Sequence, residues 1–249
     1  MDLKLLQLNI FEGKYLENIL AFLKKEDFDI ICLQEVAGGS VSQSGEDNFN
    51  EIRKELGFNG LLNMSWKIRS DPQSYFGNAI LYKQNLKVEN ARSIFMKPFE
   101  EFESPDLPND WSRSAIFMDF TFDNQKITVG TTHLARGETP YDKPYKEEQA
   151  NKLLDFLKTI KTPLILTGDF NLVPETKIIN SFSENLRNLT VETKITNTLN
   201  PRTHKLKDKL PNGLAVDYIF VSDEIKVKEF KLIDQNLSDH LGLSLTFQV

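Results

Sequence analysis

Asp169 and Asn171 stand either side of Phe170 in the stretch Pro163-Leu164-Ile165-Leu166-Thr167-Gly168-Asp169-Phe170-Asn171. A carboxylate can orient water and take a proton from it, and an amide can hold that water or a charged oxygen, so the pair suits hydrolysis if it faces a crevice. Taken alone, Gly-Asp-x-Asn is an Asx turn closing a strand. The same residue types recur beside other short apolar runs. Asn9 follows Lys4-Leu5-Leu6-Gln7-Leu8, Glu35 follows Ile30-Ile31-Cys32-Leu33-Gln34, and His133 follows Thr131-Thr132. Asp217 opens Asp217-Tyr218-Ile219-Phe220-Val221, and Asp239-His240 precedes the last apolar run. Oxygen donors and imidazoles without thiols suit Mg²⁺ or Mn²⁺ better than zinc. The single cysteine, Cys32, sits inside an apolar run, which excludes an internal disulfide and a Cys-based zinc site. Of three histidines in the chain, two belong to this set.

For these groups to meet, the elements carrying them must end on one edge. Residues 4–8 read as a strand, the spacing of Leu16, Ile19, Leu20 and Leu23 as a helix, and residues 30–33 as a second strand. Such a strand-helix-strand unit runs its strands parallel, bringing Asn9 and Glu35 together. Ala37 to Asn48 reads as a loop, Asn50 to Leu56 as a helix, and Gly60-Leu61-Leu62 and Asn78 to Tyr82 as strands. Glu100 to Asp110, with Pro105 and Pro108, reads as a surface excursion placed to act as a lid. Ala115 to Phe122 and Lys126 to Thr132 form a hairpin across Asp123-Asn124. A helix within Tyr141 to Ile160 then feeds the strand at 164–166, a second strand-helix-strand passage, and Thr176 to Phe182 reads as a short helix. Asp217 begins a strand, and an antiparallel strand begins on the edge where its parallel neighbours finish. Ile225 to Ile233 is expected to pair back onto it through Ser222-Asp223-Glu224, and Leu243 to Val249 forms the last strand. Two halves with one plan predict an α+β fold: two mixed β-sheets packed face to face with helices outside, a four-layer α/β/β/α sandwich. With no long linker, residues 1–249 are expected to form a single domain.

Hydrophobic residues make up 40% of the 249, enough for a sizeable core, and no run approaches the roughly 18 apolar residues of a membrane span. With no secretory-type leader or amphipathic anchor, a soluble, cytoplasmic monomer without a membrane anchor is expected. A net charge of −6 argues against a broad basic face for polyanions. Positive charge is densest at Arg202, His204, Lys205, Lys207 and Lys209, a patch most simply read as a solvated loop. Trp66, Phe76 and Trp111, on predicted loops, could stack on a base or an apolar tail, or pack locally.

Leu8-Asn9-Ile10, Leu33-Gln34-Glu35-Val36, Thr131-Thr132-His133-Leu134, Gly168-Asp169-Phe170-Asn171, Asp217-Tyr218-Ile219-Phe220-Val221 and Ser238-Asp239-His240 occur in the order and approximate spacing of a known superfamily. From first strand to last, the chain resembles the endonuclease/exonuclease/phosphatase (DNase I-like) superfamily. The resemblance implies a Mg²⁺-dependent hydrolase of phosphoric esters. Glu35 would be the principal metal ligand, helped by Asn9 and Asp239. Asp169 would orient or deprotonate the attacking water, and Asn171 would hold that water or a phosphate oxygen. His240, aligned by Asp217, and His133 from the opposite side would donate to the phosphoryl oxygens. Arg113 and Asn78 are the candidate substrate contacts. Phe11 stands where many relatives carry an aspartate, with Glu12 beside it, so a second metal is left open. Thr-His-Leu at 132–134 is more like the tyrosyl-DNA phosphodiesterases, deadenylases, DNase I-like enzymes and sphingomyelinases than the abasic-site nucleases. The expected substrate is a phosphodiester of a nucleic acid, a single strand or a strand end. A phosphomonoesterase or sphingomyelinase-like enzyme of the same fold is the alternative, and a non-catalytic binding module the alternative from another class.

Overall fold

In β1 (Leu3–Asn9), side chains alternate between two faces: Leu6 and Leu8 pack outward towards helices, while Leu3 and Leu5 pack inward. The computed structural model describes residues 2–104, 111–122, 125–206, 208–209 and 212–249. After β1, a 3₁₀ turn at Phe11–Gly13 leads to α1 (Leu16–Lys25), and β2 (Ile30–Gly38) returns parallel to β1. Next come α2 (Asn48–Leu56), β3 (Asn59–Ile68), β4 (Tyr75–Tyr82), β5 (Lys87–Lys97) and β6 (Glu100–Phe102). β7 (Arg113–Phe122) and β8 (Gln125–His133) form an antiparallel pair, and α3 (Pro144–Leu157) carries the chain to β9 (Leu164–Asp169), parallel to β8. α4 (Lys177–Ser183), β10 (Arg187–Asn188), α5 (Leu189–Glu192), β11 (Asp217–Val221), β12 (Lys226–Ile233) and β13 (Gly242–Gln248) complete it.

One sheet has the order β12-β13-β1-β2-β4-β3-β6 and the other β10-β11-β9-β8-β7-β5. Between them lies an apolar core in which Leu5, Ile30 and Cys32 meet Met118, Val129, Ile165 and Ile219. α1 and α2 cover the outer face of the first sheet, and α3 and α4 that of the second. The result is the four-layer α/β/β/α sandwich. No helix among the described residues is long and apolar enough to cross a membrane.

The inward face changes character along each central strand. Apolar residues at one end give way every second position to polar ones: Leu5, Gln7, Asn9 in β1, and Ile30, Cys32, Gln34 in β2. The same holds for Val129, Thr131, His133 in β8 and Ile165, Thr167, Asp169 in β9. Because β11 is antiparallel to β9, its acid comes first, and Asp217 lies opposite Asp169. One end of the interface is therefore greasy and the other polar, and the site forms at the polar end.

Three expectations need correction, those for residues 225–233, for Trp66 and Phe76 and for Glu100–Phe102, and one strand carried no sequence signal. Residues 225–233 do not pair with β11: both its edges are occupied, by β9 and β10, so the chain crosses to the other sheet, where β12 pairs with β13. Trp66 and Phe76 are not on loops but within β3 and β4, 1% and 2% exposed, ring on ring at 5.0 Å. A strand unmarked by any clean apolar alternation, β5, forms the far edge of the second sheet with two bulges against β7. The start of the proposed lid, Glu100–Phe102, is instead β6, paired parallel with β3, while its 105–110 part, the Asp123-Asn124 turn and Lys207 lie outside the described residues.

Candidate active site

Two local backbone features aim the acids. At the β2–β4 register shift between Leu33 and Val36, Glu35 adopts φ 54°, which keeps Gln34 between the sheets and brings Glu35 to a cavity wall. Before Asp169, Gly168 has φ 153°, and a Cβ there would fall 2.2 Å from the Thr132 carbonyl oxygen. Only glycine allows β9 to approach β8 so closely at this end. Asn171 follows at φ 53°, a conformation asparagine tolerates, and its backbone N–H donates to Asp169 Oδ1 at 2.9 Å.

Glu35, His133, Asp169, Asn171, Asp239 and His240 line one cavity of about 240 Å³. Asp169 is central: its Oδ2 lies 3.5 Å from His133 Nε2 and 3.8 Å from His240 Nε2, and accepts from Asn9 Nδ2 at 3.1 Å. His133 Nε2 is also 3.9 Å from Glu35 Oε1. Behind His240, Nδ1 is 2.9 Å from Asp217 Oδ2, while Asp217 Oδ1 accepts from Gln7 Nε2 at 3.0 Å. Gln7 Nε2 also donates to Gln34 Oε1 at 2.8 Å, and Gln34 Nε2 to Thr131 Oγ1 at 2.7 Å. This buried chain of amides ties both sheets together behind the histidine.

Charge is distributed unevenly. Burial opposes a proton on His240, but Asp217, Asp169 and Asp239 together outweigh it and hold its pKa well above the usual value. Burial, with the Arg113 guanidinium whose Nη1 is 3.4 Å from Nδ1, pushes His133 well below, so it is a neutral imidazole. Burial and the Asp217 charge lift Asp169 to about 6 despite the opposing pull of His240. Glu35 rises to about 8 through burial and the carboxylates of Asp239 and Glu12. A divalent cation would relieve that repulsion, and the all-oxygen acids fit a hard ion. Among the described residues, ligand atoms of Glu35, His133 and Asp169 lie within 4.8 Å of one another, a cluster able to hold a metal.

The structure thus brings all eight predicted strand-end groups together. Asn9 Oδ1 accepts from the Phe11 N–H within its own turn. Arg113 lines the cavity, with its guanidinium 5.3 Å from the Trp111 ring centroid. Asn78 is not on the cavity wall: it is 1% exposed, and its amide donates to the Ser114 carbonyl at 2.9 Å, between the sheets. Glu12 does line the cavity. Four residues escaped the sequence reading. Gln7 and Gln34 were legible as polar interruptions of apolar strands. Lys146, fully buried, donates from Nζ to the carbonyls of Thr139 and Asn171 at 2.8 and 3.0 Å, a role nothing in α3 announces. His204 leaves the basic patch for the cavity wall, whereas Arg202 pairs with Asp234.

Residues 6–240 match the family described as the endonuclease/exonuclease/phosphatase family. No match is found among curated proteins. Of solved structures, the human Nocturnin catalytic domain with bound sulfate is similar at 23% identity and TM-score 0.72, covering 99% of this chain and 93% of that one. The mannosyl-6-phosphatase Bt3783 of Bacteroides thetaiotaomicron VPI-5482 is similar at 16% identity and TM-score 0.75, covering 99% of this chain and all of that one. TDP2 of D. rerio, complexed with single-strand DNA product, is similar at 15% identity and TM-score 0.73, covering 100% of this chain and 99% of that one.

Proposed function

The chain belongs to the endonuclease/exonuclease/phosphatase family, and from that premise we propose that it is a Mg²⁺-dependent phosphodiesterase acting on the end of a nucleic-acid strand. The observation that carries this reading is Asp169 set between a neutral and a cationic imidazole, 3.5 Å from His133 and 3.8 Å from His240, in one cavity with Glu35. A carboxylate titrating near 6 is ionised at neutral pH yet basic enough to draw a proton from water, so Asp169 serves as the general base. Asn171 holds that water or a phosphate oxygen. His240, kept protonated by Asp217, donates from Nε2 to a phosphoryl oxygen as negative charge builds there. His133 donates from the opposite side; its Nδ1 faces Arg113, leaving Nε2 as the proton-bearing nitrogen. Glu35 and Asp239, with Asn9 beside them, would hold Mg²⁺ or Mn²⁺, which supplies charge neutralisation at the phosphate when bound.

A strand end suits a cavity of about 240 Å³ with Phe76, Trp111, Arg113 and Arg136 in its wall, and the similar TDP2 was solved with single-strand DNA product. The small volume also favours a second reading, a phosphomonoesterase, as the similarity to a mannosyl-6-phosphatase suggests. The test is hydrolysis, with Mg²⁺ added, of bis(p-nitrophenyl) phosphate, short single-stranded DNA and RNA, sphingomyelin, and mannose 6-phosphate. Cleavage of the diester and an oligonucleotide is expected, with Asp169→Ala or His240→Ala reducing turnover by about 10²- to 10⁴-fold. Turnover of monoesters alone establishes the second reading. Undiminished turnover in either folded variant refutes the site.

A further inference from the structure

His204 is the one histidine that the chemistry above does not use, and the fold holds it in place. The loop that carries it is stitched to the one carrying Asp239 and His240: Leu199 bridges His240, Asn200 N donates to Asp239 O at 2.8 Å, and Leu241 N to Thr198 O at 2.7 Å. Asn200 Nδ2 and Thr203 Oγ1 both donate to the Ser238 carbonyl, at 2.8 and 2.7 Å, and His204 N donates to Asn200 O at 2.9 Å. The His204 ring stands edge-on to the His240 ring with centroids 6.2 Å apart, 7% exposed, in the cavity wall.

One ring nitrogen is committed. Nδ1 accepts from the Leu206 N–H at 3.2 Å, so in the neutral ring the proton is on Nε2. Burial is the main cause of a lowered pKa, with the His240 charge adding to it and Asp239 opposing, so the ring is neutral with one defined donor. Among the described residues no protein group accepts from Nε2. Arg136 and Lys205 line the same cavity, and Arg136 is close enough to His204 to lower its pKa. His204 thus packs against His240 in the wall of the cavity that Asp169 shares, at a position to meet a group of the bound strand flanking the one being cleaved.

We propose that His204 is a specificity-determining residue whose Nε2–H binds the phosphate adjacent to the scissile one, with Arg136 and Lys205 supplying the charge around it. This rests on the strand-end reading and deepens it: the preferred substrate carries at least two phosphates in succession. A neutral N–H donor next to an arginine and a lysine suits an anionic oxygen that has another phosphate as its neighbour.

The test compares the full chain with His204→Asn and His204→Gln on two substrates in Mg²⁺: bis(p-nitrophenyl) phosphate, with one phosphate, and 5′-phosphorylated trithymidylate, with several. Asparagine can present an oxygen to the Leu206 N–H but has nothing at the Nε2 position; glutamine places an amide N–H near it. The expected result is a loss of about 10- to 100-fold in kcat/KM on the oligonucleotide for His204→Asn, carried by KM, as for a lost hydrogen bond to a charged acceptor. On the single-phosphate diester the change stays within about 2-fold, and His204→Gln recovers much of the oligonucleotide loss. Equal losses on both substrates, or none on either, overturn the assignment. If the wild-type protein cleaves the diester but not the oligonucleotide, it is the strand-end reading that falls first, which the wild-type measurement alone reveals.

Discussion

Replacing Lys146 with methionine separates stability from catalysis. Its ammonium donates to Thr139 O and Asn171 O, tethering the 136–140 wall of the cavity to the Asn171 loop. Losing two charge-assisted hydrogen bonds costs about 1.5–3 kcal/mol each. Against this, burial depresses the Lys146 pKa from 10.5 to about 8, a cost of about 3 kcal/mol for keeping the charge inside. A base whose folded pKa lies below its unfolded value destabilises the fold at and below the lower pKa, and that penalty fades as pH rises through the interval between them. At pH 7 methionine removes the whole penalty, so the net destabilisation is only about 0–3 kcal/mol, a Tm decrease of up to about 10 °C. Catalysis has no such compensation, because Asn171 at φ 53° loses the donor on its carbonyl. Turnover of bis(p-nitrophenyl) phosphate should fall about 10- to 100-fold while KM changes little, as for a misplaced group beside the reacting atoms. Calorimetry and steady-state kinetics on one preparation provide both numbers. Wild-type kcat in a folded Lys146→Met protein would refute the reasoning.

Other outcomes follow from the same geometry. Gln7→Leu leaves Asp217 Oδ1 and Gln34 Oε1 without their donor and should cost about 1–3 kcal/mol in urea unfolding for each acceptor left without a partner, together with part of the activity. Since Asp169 must be ionised to act as base, kcat/KM should rise with pH to a plateau with its acid limb near 6; a limb near the ordinary carboxylate value would remove Asp169 from that role. Chelation by EDTA should abolish hydrolysis and Mg²⁺ or Mn²⁺ restore it, with Glu35→Gln shifting the activating Mg²⁺ concentration upward; full activity in EDTA contradicts the metal assignment.

The family motifs were readable because each sits at a strand end, where a change from apolar to polar side chains marks both the strand and its limit. Leu5-Leu6-Gln7-Leu8-Asn9 and Ile165-Leu166-Thr167-Gly168-Asp169 carry their fold and their chemistry in one period-2 pattern. The β12 pairing was not readable, because an alternating strand announces a partner without naming it; the occupied edges of β11 decided that. Nor was Asn78 separable from a true cavity residue, since the same amide in a strand can face a ligand or, as here, the Ser114 carbonyl.

The linear chain determined the types of group present, the strands that deliver them and the sandwich that alternate burial on two faces requires. Only tertiary structure decided their states: His133 is neutral because burial, and then the Arg113 charge, oppose a second proton, and His240 is charged because Asp217, Asp169 and Asp239 converge on it and outweigh its burial. Lys146 and His204 owe their roles to loops brought together from distant parts of the chain. Local periodicity reports which face a residue occupies, but electrostatic environment and hydrogen-bond partners depend on distances in space, and those are set only when both sheets have packed.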